Sequence, residues 1–279
     1  MEKWLIFGCL SYFLFAVSSS IDKKFMNKKY SPLEINIFKM FFNSIILLII
    51  GIVFFELSFN SSLLVWSLVL GSIYGISGIL YFNSLKLENV SKAVPFMQSG
   101  GVLLTFVGAI LIFGEKVNML NIMGIVLILG GIYLLLYQKG KKFPPLNKAL
   151  IFIVAVILLE TTYHLLVKGI LSNIKPINLV ISMYFFASLI LFLYQLIVRK
   201  KLPSIKNSKI IIASFSGAIA TFCLYLALES GNASKVYPLM GLKSIFTFLF
   251  ALMFLKEKAT LPKVLGTIIA IVGIFFVVG

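Results

Sequence analysis

Ten runs of about twenty apolar residues, separated by short polar breaks, fill nearly the whole of this 279-residue chain. They are Trp4–Ile21, Leu33–Phe55, Leu63–Leu85, Val90–Phe113, Met119–Tyr137, Lys148–Leu171, Ile177–Val198, Lys209–Leu228, Ala233–Leu255 and Pro262–Val278. The hydrocarbon core of a bilayer takes roughly 20 apolar residues per helix, so each run is long enough to cross. A soluble fold is excluded by composition: 60% hydrophobic and 12% charged residues cannot be buried inside a globule of this size. Transmembrane barrels are built from strands of alternating polarity, whereas these runs are continuously apolar; an all-α integral membrane protein is predicted. The first run, with Lys3 before it and Ser18–Ser20 near its end, has the make-up of a signal peptide, and the duplication described next predicts that it is retained. Cys9 and Cys223 both fall inside predicted spans, where a thiol fills space, and no disulfide is expected.

The chain repeats itself. Asn89-Val90-Ser91-Lys92-Ala93-Val94-Pro95 matches Asn232-Ala233-Ser234-Lys235-Val236-Tyr237-Pro238 at a spacing of 143, and Met97 then falls on Met240. One residue shorter, Glu115-Lys116 pairs with Glu257-Lys258, Gly124 with Gly266 and Gly131 with Gly273; one residue longer, Lys24 pairs with Lys168 and Pro32 with Pro176. Residues 1–138 and 148–279 are therefore read as two copies of a five-helix unit. Five is odd, so the second copy enters the membrane upside down. Inverted repeats of this kind are characteristic of secondary transporters, in which two halves exchange conformations around a central site.

A fourth helix opening Ser-Lys-x-x-Pro, a Glu-Lys turn and a fifth helix with spaced glycines occur here twice. This pattern resembles the EamA-type repeat of the drug/metabolite transporter superfamily, over the whole chain. The resemblance implies a gradient-driven exporter of small metabolites or amino acids. The chain departs from that pattern at Lys39, where the family usually has arginine in the second helix, and at Met183, the uncharged matching position of the second half.

Loop charge sets the expected orientation. Lys23, Lys24, Lys28, Lys29, Lys86, Lys92, Lys139, Lys141, Lys142, Lys148, Arg199, Lys200, Lys201, Lys206, Lys209, Lys256, Lys258 and Lys263 lie in or beside the odd-numbered loops, against Lys3, Lys116, Lys175 and Lys235 on the other side. The rule places the odd loops in the cytoplasm and both termini outside, opposite to what the resemblance implies. It also accounts for the net charge of +16 as a topology signal, without nucleic-acid binding.

Polar residues inside spans are costly and mark candidate pathways. Glu160, His164 and Lys168 follow at i, i+4 and i+8 on the sixth helix, a stripe about 12 Å long. Glu160 and His164 are candidates for binding a substrate ammonium or relaying a proton; the structural alternative pairs Glu160 with Lys168 and lets His164 donate to a backbone carbonyl. Tyr81 and Asn83 on the third helix, and Tyr225 on the eighth, are further candidates, against interfacial anchoring. Lys86 and Glu229, equivalent by the repeat, read as snorkelling charges. On the fourth and ninth helices Pro95 and Pro238 each remove a backbone donor at the same height, a gating candidate against a harmless first-turn proline. Gln98, Thr105, Lys243 and Thr247 follow them, with Lys243 a counter-charge for Glu160 or for a substrate carboxylate. Spaced glycines, including Gly71, Gly75, Gly78, Gly124, Gly130, Gly131, Gly266 and Gly273, read as close-packing positions, with the fifth and tenth helices as an alternative dimer face. Glu115 and Glu257 read as interfacial charges capping the next helix.

A single histidine, no paired intramembrane carboxylates and no metal-ligand spacing point away from an enzyme or a metal site, and no phosphate loop points to an ATP-driven pump. The expected protein is a secondary active transporter of the inner or plasma membrane. It handles a small-molecule substrate within the lipid bilayer, without cofactor, as a monomer or homodimer. A lipid-carrier flippase or a non-transporting helical scaffold are the alternatives.

Overall fold

Each apolar run forms a helix because backbone donors and acceptors that meet lipid must be satisfied within their own segment. The computed structural model describes residues 2–26, 31–88, 90–137, 148–200, 202, 209–255 and 260–278, and every regular element among them is helical. These are α1 (Lys3–Met26), α2 (Pro32–Phe54), α3 (Ser61–Leu87), α4 (Val90–Phe113), α5 (Met119–Leu136), α6 (Lys148–Ile170), α7 (Pro176–Arg199), α8 (Lys209–Ser230), α9 (Ala233–Val236), α10 (Met240–Leu255) and α11 (Leu261–Val278). Among the described residues, eight helices are long and apolar enough to cross a bilayer. The fifth crossing is the shorter α5. The ninth is not one helix: α9, a 3-10 turn at Tyr237–Leu239 and α10 follow one another around Pro238. Pro95, its repeat counterpart, sits inside an unbroken α4.

Local chemistry fixes the helix ends. Ser31 and Glu34 form a reciprocal cap at the start of α2, with Pro32 in the first turn where its missing N–H has no partner to lose. Asn60 caps α3, and Asn118 with Asn121 caps α5. The first helix runs beyond Ile21, so Asp22 belongs to the span and not to the loop that hydropathy assigns it. Cys9 and Cys223 are free thiols.

Packing repeats the symmetry of the sequence. α3 lies on α6 as α8 lies on α1, α4 lies on α6 as α10 lies on α1, and α3 meets α7 as α8 meets α2; α2 with α7, α4 with α10 and α5 with α11 pair across the pseudo-twofold axis. The first helix of each half thus docks on the third helix of the other, and the halves interlock. Large apolar side chains such as Phe54, Leu111, Met119 and Phe275 point outward, where lipid covers them.

Gly124 and Gly131 of α5 meet Gly273 and Gly266 of α11 within one chain, while Gly130 faces outward with nothing within 4 Å. A Cβ on Gly124 would sit 2.6 Å from Gly273 O, and one on Gly131 would sit 2.5 Å from Gly266 O and 2.6 Å from Ala270 N. Only hydrogen fits between backbones this close. Gly131→Val is expected to cost about 1–3 kcal/mol by forcing the helices apart. The check is the midpoint of detergent-induced unfolding, and a parent-like midpoint would refute the close seam.

Candidate functional site

The polar stripes of α1, α2, α3 and α6 converge on a cavity of about 100 Å³, completed by side chains of α4, α7, α8 and α10. It runs from mid-span toward the end of the bundle where the odd loops lie, because Asp22, Asn36, Lys39, Tyr81 and Gln98 all belong to that half of their helices.

At this odd-loop end Lys39 Nζ donates to Asp22 Oδ2 at 2.5 Å and to Ser18 Oγ at 2.9 Å, with the Phe82 ring centroid 5.6 Å away. Both charged side chains are buried. Taking two charges out of water is costly, and short contacts with further hydrogen bonds are what offset it. The pair joins α1 to α2, and Gly217 of α8 packs beside it: a Cβ there would be in ordinary van der Waals contact, 3.4 Å from Ser18 Oγ and 3.7 Å from Lys39 Cε.

Mid-span, Glu160 and Lys243 are handled differently. Glu160 Oε1 accepts from Ser77 Oγ at 3.4 Å, and Lys243 Nζ lies 5.4 Å from the Phe15 ring centroid. No ion pair joins either of them to another described residue. His164, one turn beyond Glu160, is buried with its Nδ1 unpartnered, and Gln98 Oε1 is likewise unpartnered. These four and Tyr81 line one cavity.

The expected structural pairings of the stripe are replaced by others. Lys168 does not meet Glu160: it donates to Leu228 O at 2.7 Å and Gly231 O at 2.8 Å, at the end of α8. Steps of four residues turn a helix by about 40° each, so by i+8 the side chain has left the cavity face and is about 12 Å away. His164 is not a donor to a carbonyl; its own carbonyl accepts from Tyr237 Oη, and the two rings stack with centroids 5.0 Å apart.

Other anticipated residues stand apart from the cavity. Asn83 donates to Ile79 O one turn back in its own helix at 2.8 Å, and Thr105 is spent on Gly101 O in the same way. Thr247 is buried outside the lining, while Lys86 and Glu229 are exposed at helix ends, as snorkelling charges are. Tyr225 lies one layer behind: it is hydrogen-bonded to Tyr163, and both hydroxyls approach Met183 Sδ, at 3.3 Å from Tyr163 and 3.7 Å from Tyr225. Tyr184 bonds Thr221 at 2.6 Å, and the Tyr74 ring meets those of Tyr163 and Tyr184. Tyr74, Tyr163 and Tyr184 line the even-loop side of the cavity, with Tyr225 and Tyr237 packed behind that wall. Pro95 and Pro238 are both buried, and only Pro238 sits at a helix break. Glu115 caps α9 of the other repeat and not the next helix, which Asn118 caps; Glu257 lies outside the described residues.

The sequence reading missed Asp22, Asn36, Asn43 and the tyrosines 12, 74, 163 and 184. Asn36, Lys39 and Asn43 follow at i, i+3 and i+7, the same signal that singles out Glu160 and His164.

A solved crystal structure, 14% identical in sequence, superposes with a TM-score of 0.76 over 96% of this chain and 97% of its own, and so shares the fold. An uncharacterized protein of Methanocaldococcus jannaschii is 41% identical over 56 residues, 20% of this chain; the chain spans 41% of that curated relative's length. The EamA-like transporter family matches residues 2–137 and 147–279, one match for each half. This chain therefore belongs to the EamA-like transporter family, as a multi-pass membrane protein of the drug/metabolite transporter superfamily.

Proposed function

We propose that the protein exports small zwitterionic metabolites, amino acids among them, across the inner or plasma membrane by exposing its cavity alternately to the two sides. The observation that carries this reading is the charge left over in the cavity. Asp22 and Lys39 pair with each other, which leaves one anion, Glu160, and one cation, Lys243, facing the same small space out of ion-pair contact and attracting each other only at longer range. A zwitterion supplies an ammonium to the first and a carboxylate to the second, and its own charges are then compensated where water is scarce. Glu160, His164, Tyr81, Gln98 and Lys243 form the binding set in this reading, with Asn83 and Tyr225 supporting α3 and α8 behind it. Pro238 is its gating proline and Pro95 the rigid counterpart. A scaffold needs no such leftover charge.

The experiment is exchange. Purified protein in liposomes loaded with unlabelled amino acids should take up an external labelled amino acid saturably, and should not take up a dicarboxylate of net negative charge. No uptake of any amino acid, together with scrambling of a labelled lipid, would transfer the reading to a flippase. His164→Ala should lower exchange up to about tenfold, the worth of one neutral hydrogen bond; unchanged exchange removes His164 from the binding set.

A further inference from the structure

The turn between α8 and α9 is held from two sides by opposite charges. Lys168, reaching from α6, donates to the carbonyls of Leu228 and Gly231 at 2.7 and 2.8 Å, and the Glu115 carboxylate accepts from the N–H groups of Ala233 and Ser234 at 2.8 and 2.7 Å. The last carbonyls of one helix and the first amides of the next lack partners within their helices, and each here receives the charge that suits its end. Glu115 reaches them because Gly114, in the left-handed region at φ 62°, turns the chain out of α4. Of the two contacts on this turn, that of Glu115 crosses from the first repeat to the second, while that of Lys168 stays within the second.

What hangs on this turn is a side chain packed behind the cavity wall. Tyr237 follows Ser234 by three residues, in the 3-10 turn, and its ring stacks on His164. Trp4 of α1 presses on the same turn, since a Cβ on Gly231 would lie 2.7 Å from Trp4 Cβ. Unlike the buried Asp22–Lys39 pair, Glu115 and Lys168 are partly exposed, so water can replace their contacts when these break. The same residue types recur at the repeat spacings, lysine at 24 and glutamate at 257, although the repeats differ at Lys39 and Met183.

From these contacts we infer that Glu115 and Lys168 form a latch that keeps the even-loop end of the cavity shut and must open in each transport cycle. The inference rests on the alternating-access reading above, but its test needs no substrate. Ser77→Cys, in a Cys9→Ala/Cys223→Ala background, reports on the cavity in proteoliposomes treated with a membrane-impermeant thiosulfonate from the side on which both termini lie. Glu115→Gln and Lys168→Met should each raise labelling of residue 77 from that side roughly fivefold or more. Joining Glu115→Cys to Ser234→Cys with a reducible bifunctional thiosulfonate, with labelling at residue 77 read by peptide mass, should suppress it until the link is reduced. Parent-like labelling in both single variants, with only thermal stability lowered, overturns the latch and leaves a structural cap; so does undiminished labelling in a cross-linked Lys168→Met protein. A protein that exchanges no amino acid yet responds in labelling keeps the latch and loses the proposed substrate.

Discussion

Lys39→Met is expected to destabilise the protein by about 3–5 kcal/mol, because it leaves the Asp22 carboxylate buried without its cation. Methionine fills the lysine stem, so the loss is electrostatic and not a cavity effect. Asp22 Oδ1 already lacks a partner, and without Lys39 the other oxygen loses its 2.5 Å donor as well. The double variant Asp22→Asn/Lys39→Met should recover most of the loss, since removing both charges also removes their desolvation. Thermal unfolding followed by tryptophan fluorescence measures both, and a double variant as unstable as Lys39→Met alone would show that the ion pair is not what the site depends on.

Glu160→Gln should lower amino-acid exchange by roughly 30- to 150-fold while leaving the fold intact. Glutamine is nearly isosteric and still accepts from Ser77, so packing survives. What goes is the charge that meets a substrate ammonium, and a hydrogen bond to a charged group is worth about 2–3 kcal/mol in such a place, which converts to that loss at tenfold per 1.4 kcal/mol. Exchange within twofold of the parent, in protein with a parent-like unfolding midpoint, would take Glu160 off the pathway. Aspartate in the same place should restore part of the flux, because it returns the charge at a slightly shorter reach.

Hydropathy and the 143-residue spacing made the ten spans and the inverted duplication legible, since both are local patterns summed over many residues. Glu160, His164, Lys243 and Gln98 were legible for another reason: a polar side chain deep in an apolar run has few places to go but the centre. Asp22 was hidden because it opens a charged string, Asp22-Lys23-Lys24, that looks like loop until its partner on α2 is known. The contrast between the two prolines was equally hidden, for both stand in the same Ser-Lys-x-x-Pro setting and only Pro238 sits at a helix break. Lys168 misled because helical spacing gives a face and not a reach. The tyrosine layer gave no warning, as tyrosine is ordinary near membrane interfaces.

The unlike residues at positions 39 and 183 have a thermodynamic consequence. Two identical halves would give a carrier whose inward and outward forms are related by a half-turn about an axis in the membrane plane, isoenergetic and equally populated before any gradient is applied. Here one end of the pathway carries a buried ion pair and the other a thioether between two phenols. The degeneracy is lifted, and each 1.4 kcal/mol of difference skews the resting population about tenfold toward one side. Under the proposed alternating-access cycle, the contrast between Lys39 and Met183 is one of the differences between the halves that would set the side on which the empty site waits.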